Sequence, residues 1–392
     1  QQAKIMSEKY DVVCTNPPYM GRKGMNPKLV KYLDENFKDS KNDLFAVFME
    51  LDKMYLKNTG FMGMINQHSW MFLSSYEQLR KKTINNRSIY NMLHLGSHAF
   101  EEIGGEVVQS TSFVLRKLDV DGYLGTYIRL VDWDDSKTKD IKAIHAIRNK
   151  NIDYRYYSTM SEYGKIPGKP IAYWVPNSIK DLFIEEKLLG DIEKPVEGIK
   201  TGNNDLFLRL WYEINSKKLY HKIFKDYNEQ DKWFPITKGG LFRKWYGNNE
   251  YVVNWYNNGE ELKKYSKSTV SNSDLFFKEA ITWSYITSNK LSVRYLGANY
   301  LYNNKGPCCY IRNKENIYYI LALLNSIIGE TILNLLAPTL DYKPGNLRNV
   351  PIKQVNEVDA MDKINGLTSN CWTISKTDWD SFETSWDFKK HP

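Results

Sequence analysis

The chain has 392 residues, which is enough for two domains that each bury a core of their own. Its 54 Lys and Arg residues exceed its 46 Asp and Glu residues, and the net charge of +8 is compatible with binding to nucleic acid without requiring it. The 4 cysteines show neither CxxC spacing nor a disulfide framework. This argues against a disulfide-bonded secreted scaffold and against a metal site, and it favours a cytoplasmic protein.

A stretch near the start of the chain carries the strongest local signal. Residues 10–15 form a short run rich in β-branched side chains, which predicts a buried strand. The sequence Asn16-Pro17-Pro18-Tyr19 then ends this strand. Because neither proline donates a backbone hydrogen bond, and each favours extended geometry in the residue before it, we expect a stiff turn there. Open α/β sheets bind their ligands at this end of a strand.

The groups of this turn suit the chemistry of an exocyclic amino group. Such a group has two N–H donors, which the Asn16 side-chain oxygen and the Pro17 carbonyl oxygen can accept. These acceptors draw the nitrogen lone pair out of conjugation with the ring, so that the nitrogen becomes a nucleophile. Tyr19 can stack on the base that carries the amine, once the base has left the double helix. The alternative is a Pro-Pro turn followed by an ordinary surface tyrosine.

A basic loop and a helix follow the turn. Arg22 and Lys23 can clamp a phosphate, and a solvated loop without a ligand is the alternative. Asp43 is the predicted N-cap of a helix whose apolar residues recur at helical spacing from Leu44 onward. We expect Gly60 to end this helix.

Three further strands are predicted in the first part of the chain. Phe61–Ile65 follows the helix and should lie parallel to the first strand, through a right-handed crossover. Ile89–Leu95 and Val108–Leu115 follow, and the second of these should be antiparallel, as in a hairpin. His68 and His98 flank the predicted rim of the sheet, but no third ligand lies at metal spacing, so we expect buried or hydrogen-bonded histidines.

The pattern weakens towards Pro170, and residues 164–170 contain two prolines and two glycines. We predict a first domain of residues 1–150 and a second of residues 151–392, joined at or slightly before this stretch. The second domain has mixed α and β character. Its long apolar segment Ile317–Ala337 is interrupted by polar residues, which predicts one buried helix rather than a membrane span.

Basic and aromatic residues interleave between Lys238 and Gly247 in the second domain. Such a segment can follow a phosphate backbone while its rings stack or pack, and a decorated surface on a layer of strands is the alternative. The cations that we select for DNA contact, on chemistry alone, are Arg209, Lys238, Arg243 and Lys244.

The motifs above resemble those of a known family. The turn at Asn16, the helix after Asp43 and the strand at residues 62–65 resemble the amino-methyltransferases that methylate adenine N6 in DNA. Residues 67–75, 202–209, 244–251 and 378–392 look like the PglX-type adenine-specific methyltransferases of the BREX phage-exclusion systems. The similarity extends along essentially the whole chain.

The resemblance implies a fold, a chemistry and partners. The fold is α/β, with a partial Rossmann-like methyltransferase sheet followed by a mixed α+β target-recognition domain. The methyl donor is S-adenosylmethionine, the substrate is double-stranded DNA, and other phage-defence proteins are candidate partners. Asn16, Pro17 and Pro18 match the turn that holds the amine, Tyr19 matches the base-stacking ring, and Phe113 matches a second aromatic residue against the extruded base.

One departure from the family pattern matters. The family's glycine-rich donor-binding loop precedes the turn, and no such sequence precedes Asn16 here. We therefore expect that the chain starts within the catalytic domain, is truncated at its other end too, binds S-adenosylmethionine poorly and transfers no methyl group by itself. A restriction-modification protein that also cuts DNA and a DNA-binding module without catalysis are the alternative functions.

Overall fold

The structure, a computed structural model, describes residues 2–100, 108–220, 231–287, 290–337 and 341–391. It divides into two compact units, Gln1–Ile184 and Glu185–Pro392. This division differs from the predicted one, because it lies after residue 150 and also after the stretch of prolines and glycines at residues 164–170.

Residues 151–184 belong to the first unit because they pack against it. The backbone N–H of Ile171 donates a hydrogen bond to the carbonyl oxygen of Met71 at 3.0 Å. The Tyr173 ring stacks on the Tyr127 ring, with centroids 4.6 Å apart. The prolines and glycines before Ile171 therefore shape a segment that covers the first unit, and they do not form a linker between the units.

The first unit contains one six-stranded sheet in the order β1-β2-β4-β3-β5-β6. Its strands are β1 (Tyr10–Thr15), β2 (Leu56–Gln67), β3 (Ser88–Gly96), β4 (Ser110–Arg116), β5 (Gly125–Arg129) and β6 (Arg155–Ser158). Its helices are α1 (Gln2–Ser7), α2 (Pro27–Asn36), α3 (Leu44–Glu50), α4 (Asp52–Tyr55), α5 (Glu77–Asn86), α6 (Ser136–Arg148) and α7 (Met160–Gly164), and α8 (Asn177–Glu185) lies at the division.

The strand directions match the sequence prediction. β1 pairs with β2 in parallel, and β4 lies between β2 and β3 and is antiparallel to both. The parallel crossover and the antiparallel fourth strand are therefore confirmed. As a result, the end of β1, the end of β2 and the start of β4 meet at the same edge of the sheet, which is where the turn at Asn16 lies.

Two local predictions in this sheet were wrong. Gly60 lies inside β2 and does not end a helix; a Cβ atom there would lie 2.9 Å from the carbonyl oxygen of Asp11, so a glycine lets the two backbones approach closely. β1 is also less buried than predicted, because it is the edge strand of the described sheet, and Val12 is 63% exposed.

The second unit combines small sheets with helices. Three strands form the sheet β10-β11-β9, four form β13-β12-β14-β8 and two form β15-β7, all paired antiparallel. The strands are β7 (Lys187–Leu188), β8 (Lys194–Val196), β9 (Leu208–Leu210), β10 (Trp233–Pro235), β11 (Tyr251–Asn254), β12 (Ala280–Trp283), β13 (Val293–Leu296), β14 (Cys308–Tyr310) and β15 (Pro351–Ile352). The helices are α9 (Leu189–Ile192), α10 (Asn204–Phe207), α11 (Tyr256–Lys264), α12 (Ile317–Asn325), α13 (Ile327–Leu336), α14 (Pro344–Arg348) and α15 (Val358–Trp379).

The predicted single helix at Ile317–Ala337 is in fact two helices, α12 and α13. Ser326 separates them, and its hydroxyl accepts a hydrogen bond from the backbone N–H of Gly329 at 3.1 Å, which caps α13. No single helix in the described ranges is long and apolar enough to cross a membrane; the α12 and α13 segments pass that test only when joined across their 72° bend.

Candidate functional site

The Asn16–Tyr19 turn leaves two oxygen acceptors available. Asn16 and Pro18 are exposed, Pro17 is buried and Tyr19 is half-buried. Within the described part of the chain, neither the Asn16 side chain nor the Pro17 carbonyl oxygen takes part in a hydrogen bond. The two acceptors that the sequence singles out can therefore bond to a ligand.

The Tyr19 ring is anchored in the core beside this turn. It packs edge-on against Phe45, with centroids 6.2 Å apart and an interplanar angle of 81°. Burial raises the pKa of the Tyr19 hydroxyl, and the neighbouring Ser110 hydroxyl opposes that shift. The phenol therefore stays neutral at physiological pH, and its orientation is set by packing on one side. A ring held in this way can serve as a platform for stacking.

Asp43 connects the turn to the helix that follows. Its Oδ1 atom accepts hydrogen bonds from the backbone N–H of Met20 at 3.0 Å and from that of Phe45 at 3.3 Å. The backbone N–H of Leu44 donates in return to the carbonyl oxygen of Met20 at 3.2 Å. Burial raises the pKa of Asp43, and these backbone N–H groups oppose the shift. The N-cap prediction is confirmed, but the link to Met20 was missed because no local pattern connects residues so far apart in sequence.

A chain of hydrogen bonds runs behind the same edge of the sheet. His68 Nδ1 lies 2.8 Å from His94 Nε2, and His94 Nδ1 lies 2.9 Å from the Tyr173 hydroxyl. Burial lowers the pKa of His68 to about 4, and burial also lowers the pKa of His94 well below its usual value, so both imidazoles are neutral near pH 7. The prediction of a hydrogen-bonded histidine is confirmed for His68. Among the described residues, His98 Nδ1 is buried without a partner, and no group of three or more His, Cys, Asp or Glu side chains could hold a metal ion.

Phe113, the predicted second base-stacking ring, is buried in the core of the first unit. It is 1% exposed on β4 and packs on Trp70, with ring centroids 5.2 Å apart. Because the alternation of β4 turns Phe113 into the core, stacking on a base would require it to leave that packing. The assignment of Phe113 to an extruded base is therefore corrected to a core role.

The two cations of the loop after the turn differ in their surroundings. The Arg22 guanidinium forms two hydrogen bonds with the Asp34 carboxylate, at 2.9 and 2.5 Å, and Lys41 pairs with the same carboxylate. These cations hold the pKa of Asp34 well below its usual range. Lys23 is exposed and forms no ion pair with any residue that the structure describes. Lys23 is therefore the better candidate for a phosphate contact.

Arg209 and Lys238 of the second unit are also distinguished by their neighbours. Arg209 donates to the carbonyl oxygens of Asp205 and Leu208 at 2.5 and 2.6 Å, and its guanidinium lies 5.6 Å from the Trp233 ring centroid. Lys238 is half-buried, and burial together with the nearby Lys305 lowers its pKa. Arg209 is thus engaged in local structure, whereas Lys238 keeps its hydrogen-bonding capacity.

Residues 238–247 form a loop, which we call the 238–247 loop. Arg243 and Lys244 hold this loop against the rest of the second unit. Arg243 donates to the carbonyl oxygen of Ser375 at 3.0 Å and pairs with Asp378 at 2.5 Å. Lys244 Nζ donates to the carbonyl oxygen of Asn325 at 2.6 Å. In this structure both cations face protein atoms, so the choice of them as DNA-contacting residues is not supported by their contacts.

Comparison with known proteins gives two relatives that match nearly the whole chain. The adenine-specific methyltransferase PglX of Lacticaseibacillus casei (strain Zhang) is 42% identical over 98% of this chain. The adenine-specific methyltransferase BrxX of Escherichia coli O9:H4 (strain HS) is 38% identical over 100% of it. The chain is therefore similar to PglX-type adenine-specific methyltransferases over nearly its whole length. The resemblance expected from the sequence is therefore confirmed, and the chain spans about a third of the length of these relatives, 32% and 31% respectively.

A family model and a solved structure give two further similarities. The model described as Eco57I restriction-modification methylase matches residues 1–100. The structure of the Type IIL restriction-modification enzyme MmeI in complex with DNA superposes on this chain with a TM-score of 0.58 at 12% sequence identity. The match covers 97% of this chain and 52% of the MmeI chain. This likeness shows the fold, and it confirms the predicted α/β class.

Proposed function

We propose that the chain forms part of a site-specific DNA adenine-N6 methyltransferase that acts in phage defence, and that it supplies the turn that holds the target amine and a unit that contacts duplex DNA. The observation that carries this proposal is the pair of free acceptors at Asn16 and Pro17, beside the anchored ring of Tyr19. The naming of PglX and BrxX as adenine-specific methyltransferases supports it.

The turn performs three tasks in this proposal. The Asn16 side-chain oxygen and the Pro17 carbonyl oxygen accept the two N–H groups of the adenine amine, which localises the nitrogen lone pair and points it away from the ring. Tyr19 stacks on the extruded base and sets its plane. Because Asp43 binds the backbone of Met20, the turn reaches this geometry before the base arrives, and little reorganisation is needed.

S-adenosylmethionine supplies the methyl group when it is bound. The residues described here do not fit a complete site for this donor, because the segment before β1 contains no glycine and no glycine-rich loop leads into a helix next to the turn. We therefore propose that donor binding depends on residues outside this chain. Isothermal titration should show no binding at micromolar donor, and micromolar affinity would overturn this part of the proposal.

Duplex DNA is the proposed partner, and other proteins of the defence system are proposed partners of the whole protein. No observation on the described residues favours the alternative of a nuclease over methylation. A DNA-binding module without catalysis would keep the second unit but would not need free acceptors at the turn.

Substitution Asn16→Ala in the full-length parent tests the proposal. Adenine methylation should fall by about 100-fold or more, because one of two acceptors for the reacting amine is lost. Binding to duplex DNA should stay near the parent value. Single-molecule sequencing of genomic DNA measures the methylation, and a variant that still methylates adenine at the parent rate would exclude the turn as the catalytic element.

A further inference from the structure

The tip of the 238–247 loop exposes two large apolar side chains. Leu241 is 85% exposed, more than any other large apolar residue in the described ranges, and its neighbour Phe242 is 46% exposed. A single exposed leucine is common on protein surfaces. Two adjacent exposed apolar side chains on a structured loop indicate a binding surface under two conditions. The loop must be held rigidly, and the charges around it must be complementary to a particular kind of partner.

The loop is held rigidly on both sides of this tip. The Gly240 carbonyl oxygen accepts from the Ser284 hydroxyl at 2.9 Å, and the Leu241 carbonyl oxygen accepts from the Asn248 side chain at 2.8 Å. Gly239 and Gly240 have φ values of 87° and 133°, which other residues rarely adopt. A Cβ atom on Gly239 would lie 2.7 Å from the carbonyl oxygen of Lys305.

The backbone of the loop is also strained at Trp245. Trp245 has a φ of 74°, which is unfavourable for a bulky side chain, and its backbone N–H donates to the carbonyl oxygen of Val293 at 2.8 Å. With Arg243 and Lys244 bonded behind it, the loop maintains a costly backbone shape. The shape leaves Leu241 and Phe242 pointing away from the core of the unit, which gives no stability in return.

Positive charge flanks the exposed pair. Lys238 lies three positions before Leu241, and the backbone of Lys305 packs against the next residue of the loop, since a Cβ atom on Gly239 would lie 2.7 Å from the Lys305 carbonyl oxygen. The Lys305 ammonium lies 4.4 Å from the ring centroid of Tyr285. Neither lysine forms an ion pair with a carboxylate in the described part of the chain, although Glu197 and Asp341 lie near Tyr285. Two unpaired cations beside an apolar tip match a ligand that has phosphates around stacked apolar rings.

We propose that Leu241 and Phe242 form an apolar wedge that inserts between base pairs of duplex DNA, while Lys238 and Lys305 bind the flanking phosphates. Apolar side chains are used in this way by proteins that unstack a base step and bend the duplex. Insertion removes both side chains from water, and the fixed loop loses little conformational freedom on binding. The inference rests on the proposed function, because it takes duplex DNA as the ligand of the second unit.

The test uses the full-length parent and a duplex that contains one sequence found methylated in genomic DNA, with 2-aminopurine placed at successive positions. The parent should raise the fluorescence at a base step other than the target adenine. The double variant Leu241→Ala/Phe242→Ala should lose this signal and bind at least about 30-fold more weakly, as for the loss of two base-stacking contacts. The salt dependence of its binding should be unchanged, since no charge is removed.

Matched variants separate the wedge from the phosphate contacts. Ile327→Ala removes a side chain that is 78% exposed on α13 and should change neither affinity nor fluorescence. Lys238→Gln and Lys305→Gln should each lower the salt slope by about one, and the bound complex should keep the fluorescence signal. All of these side chains are at least partly exposed, and thermal unfolding will show whether each variant is folded.

The outcomes distinguish the wedge from the function on which it rests. A folded double variant that binds and unstacks DNA like the parent overturns the wedge alone. A double variant that changes only the oligomeric state, measured by sedimentation, also overturns it and assigns the tip to a protein interface. A parent that neither methylates nor binds duplex DNA overturns the proposed function itself.

Discussion

The Asn16–Tyr19 turn of the first unit and the 238–247 loop of the second both carry groups without a protein partner among the described residues, on a backbone that polar contacts hold in place. Asp43 binds the turn through the N–H of Met20, and Arg243 and Lys244 bind the loop through carbonyl oxygens and a carboxylate. These groups differ: the turn has two hydrogen-bond acceptors, and the loop has two exposed apolar side chains. The proposed function of the acceptors depends mainly on their exact position, whereas the proposed binding by the apolar pair depends mainly on the area that it buries.

The largest effect should come from loosening the turn. Asp43→Ala removes the acceptor for the N–H groups of Met20 and Phe45, and we expect kcat of the full-length parent to fall by about 10- to 100-fold with little change in KM for DNA. Asp43→Asn keeps an oxygen at the same place and should stay within about threefold of the parent.

The N-cap residue of another helix in the first unit provides the control for this prediction. Asp135 caps α6 by accepting from the N–H of Thr138 at 2.7 Å. Asp135→Ala should lower the thermal stability as Asp43→Ala does, but it should leave kcat unchanged. Equal losses of kcat in the two alanine variants would show that Asp43 acts only through stability.

Removing Arg243, which anchors the 238–247 loop, should mainly lower the stability of the second unit. Arg243→Ala loses the bonds to Ser375 and Asp378, and we expect the second unit to be destabilised by about 1 to 3 kcal/mol in chemical denaturation. The sequence preference of DNA binding should not change. A changed preference with unchanged stability would instead show that Arg243 reads bases, as its residue type suggested.

The two units should also differ in their response to acid. In the first unit, burial lowers the pKa of His68 to about 4 and lowers that of His94 as well, so the unfolded chain binds more protons than the folded one. Stability therefore rises with pH in the window from about 4 to 6.5, and the contribution of His68 alone should make the first unit less stable at pH 5 than at pH 7 by roughly 2 kcal/mol.

Thermal unfolding between pH 7 and pH 5 measures this difference. His68→Gln should reduce the pH dependence of the transition that belongs to the first unit, and the remaining dependence is expected from His94. An unchanged dependence in that variant would mean that His68 is not the group responsible.

The smallest effect is expected at the loop beside the turn. Lys23→Gln should weaken DNA binding by about two- to threefold and lower the salt slope by about one. Arg22→Gln should affect stability more than binding, because Arg22 is paired with Asp34. Fluorescence anisotropy at several salt concentrations measures both.

Local sequence patterns determined much of the first unit. The strand before Asn16, the two prolines that stop it, the N-cap at Asp43 and the antiparallel strand at Ser110–Arg116 follow from turn chemistry and periodicity, which act between near neighbours. The residues of the turn and the family resemblance were also available from the sequence, because the motif is contiguous.

Only the tertiary structure decided what each side chain of the candidate sites faces. Asp43 reaches Met20, His94 joins His68 to Tyr173, Phe113 turns into the core, and Arg243 binds the carbonyl oxygen of Ser375. Each of these contacts joins residues that are distant in sequence, where no spacing rule operates. Residue type alone suggested that the cations of the 238–247 loop contact DNA, but burial and hydrogen bonding turn two of them inward and leave Leu241 and Phe242 at the surface.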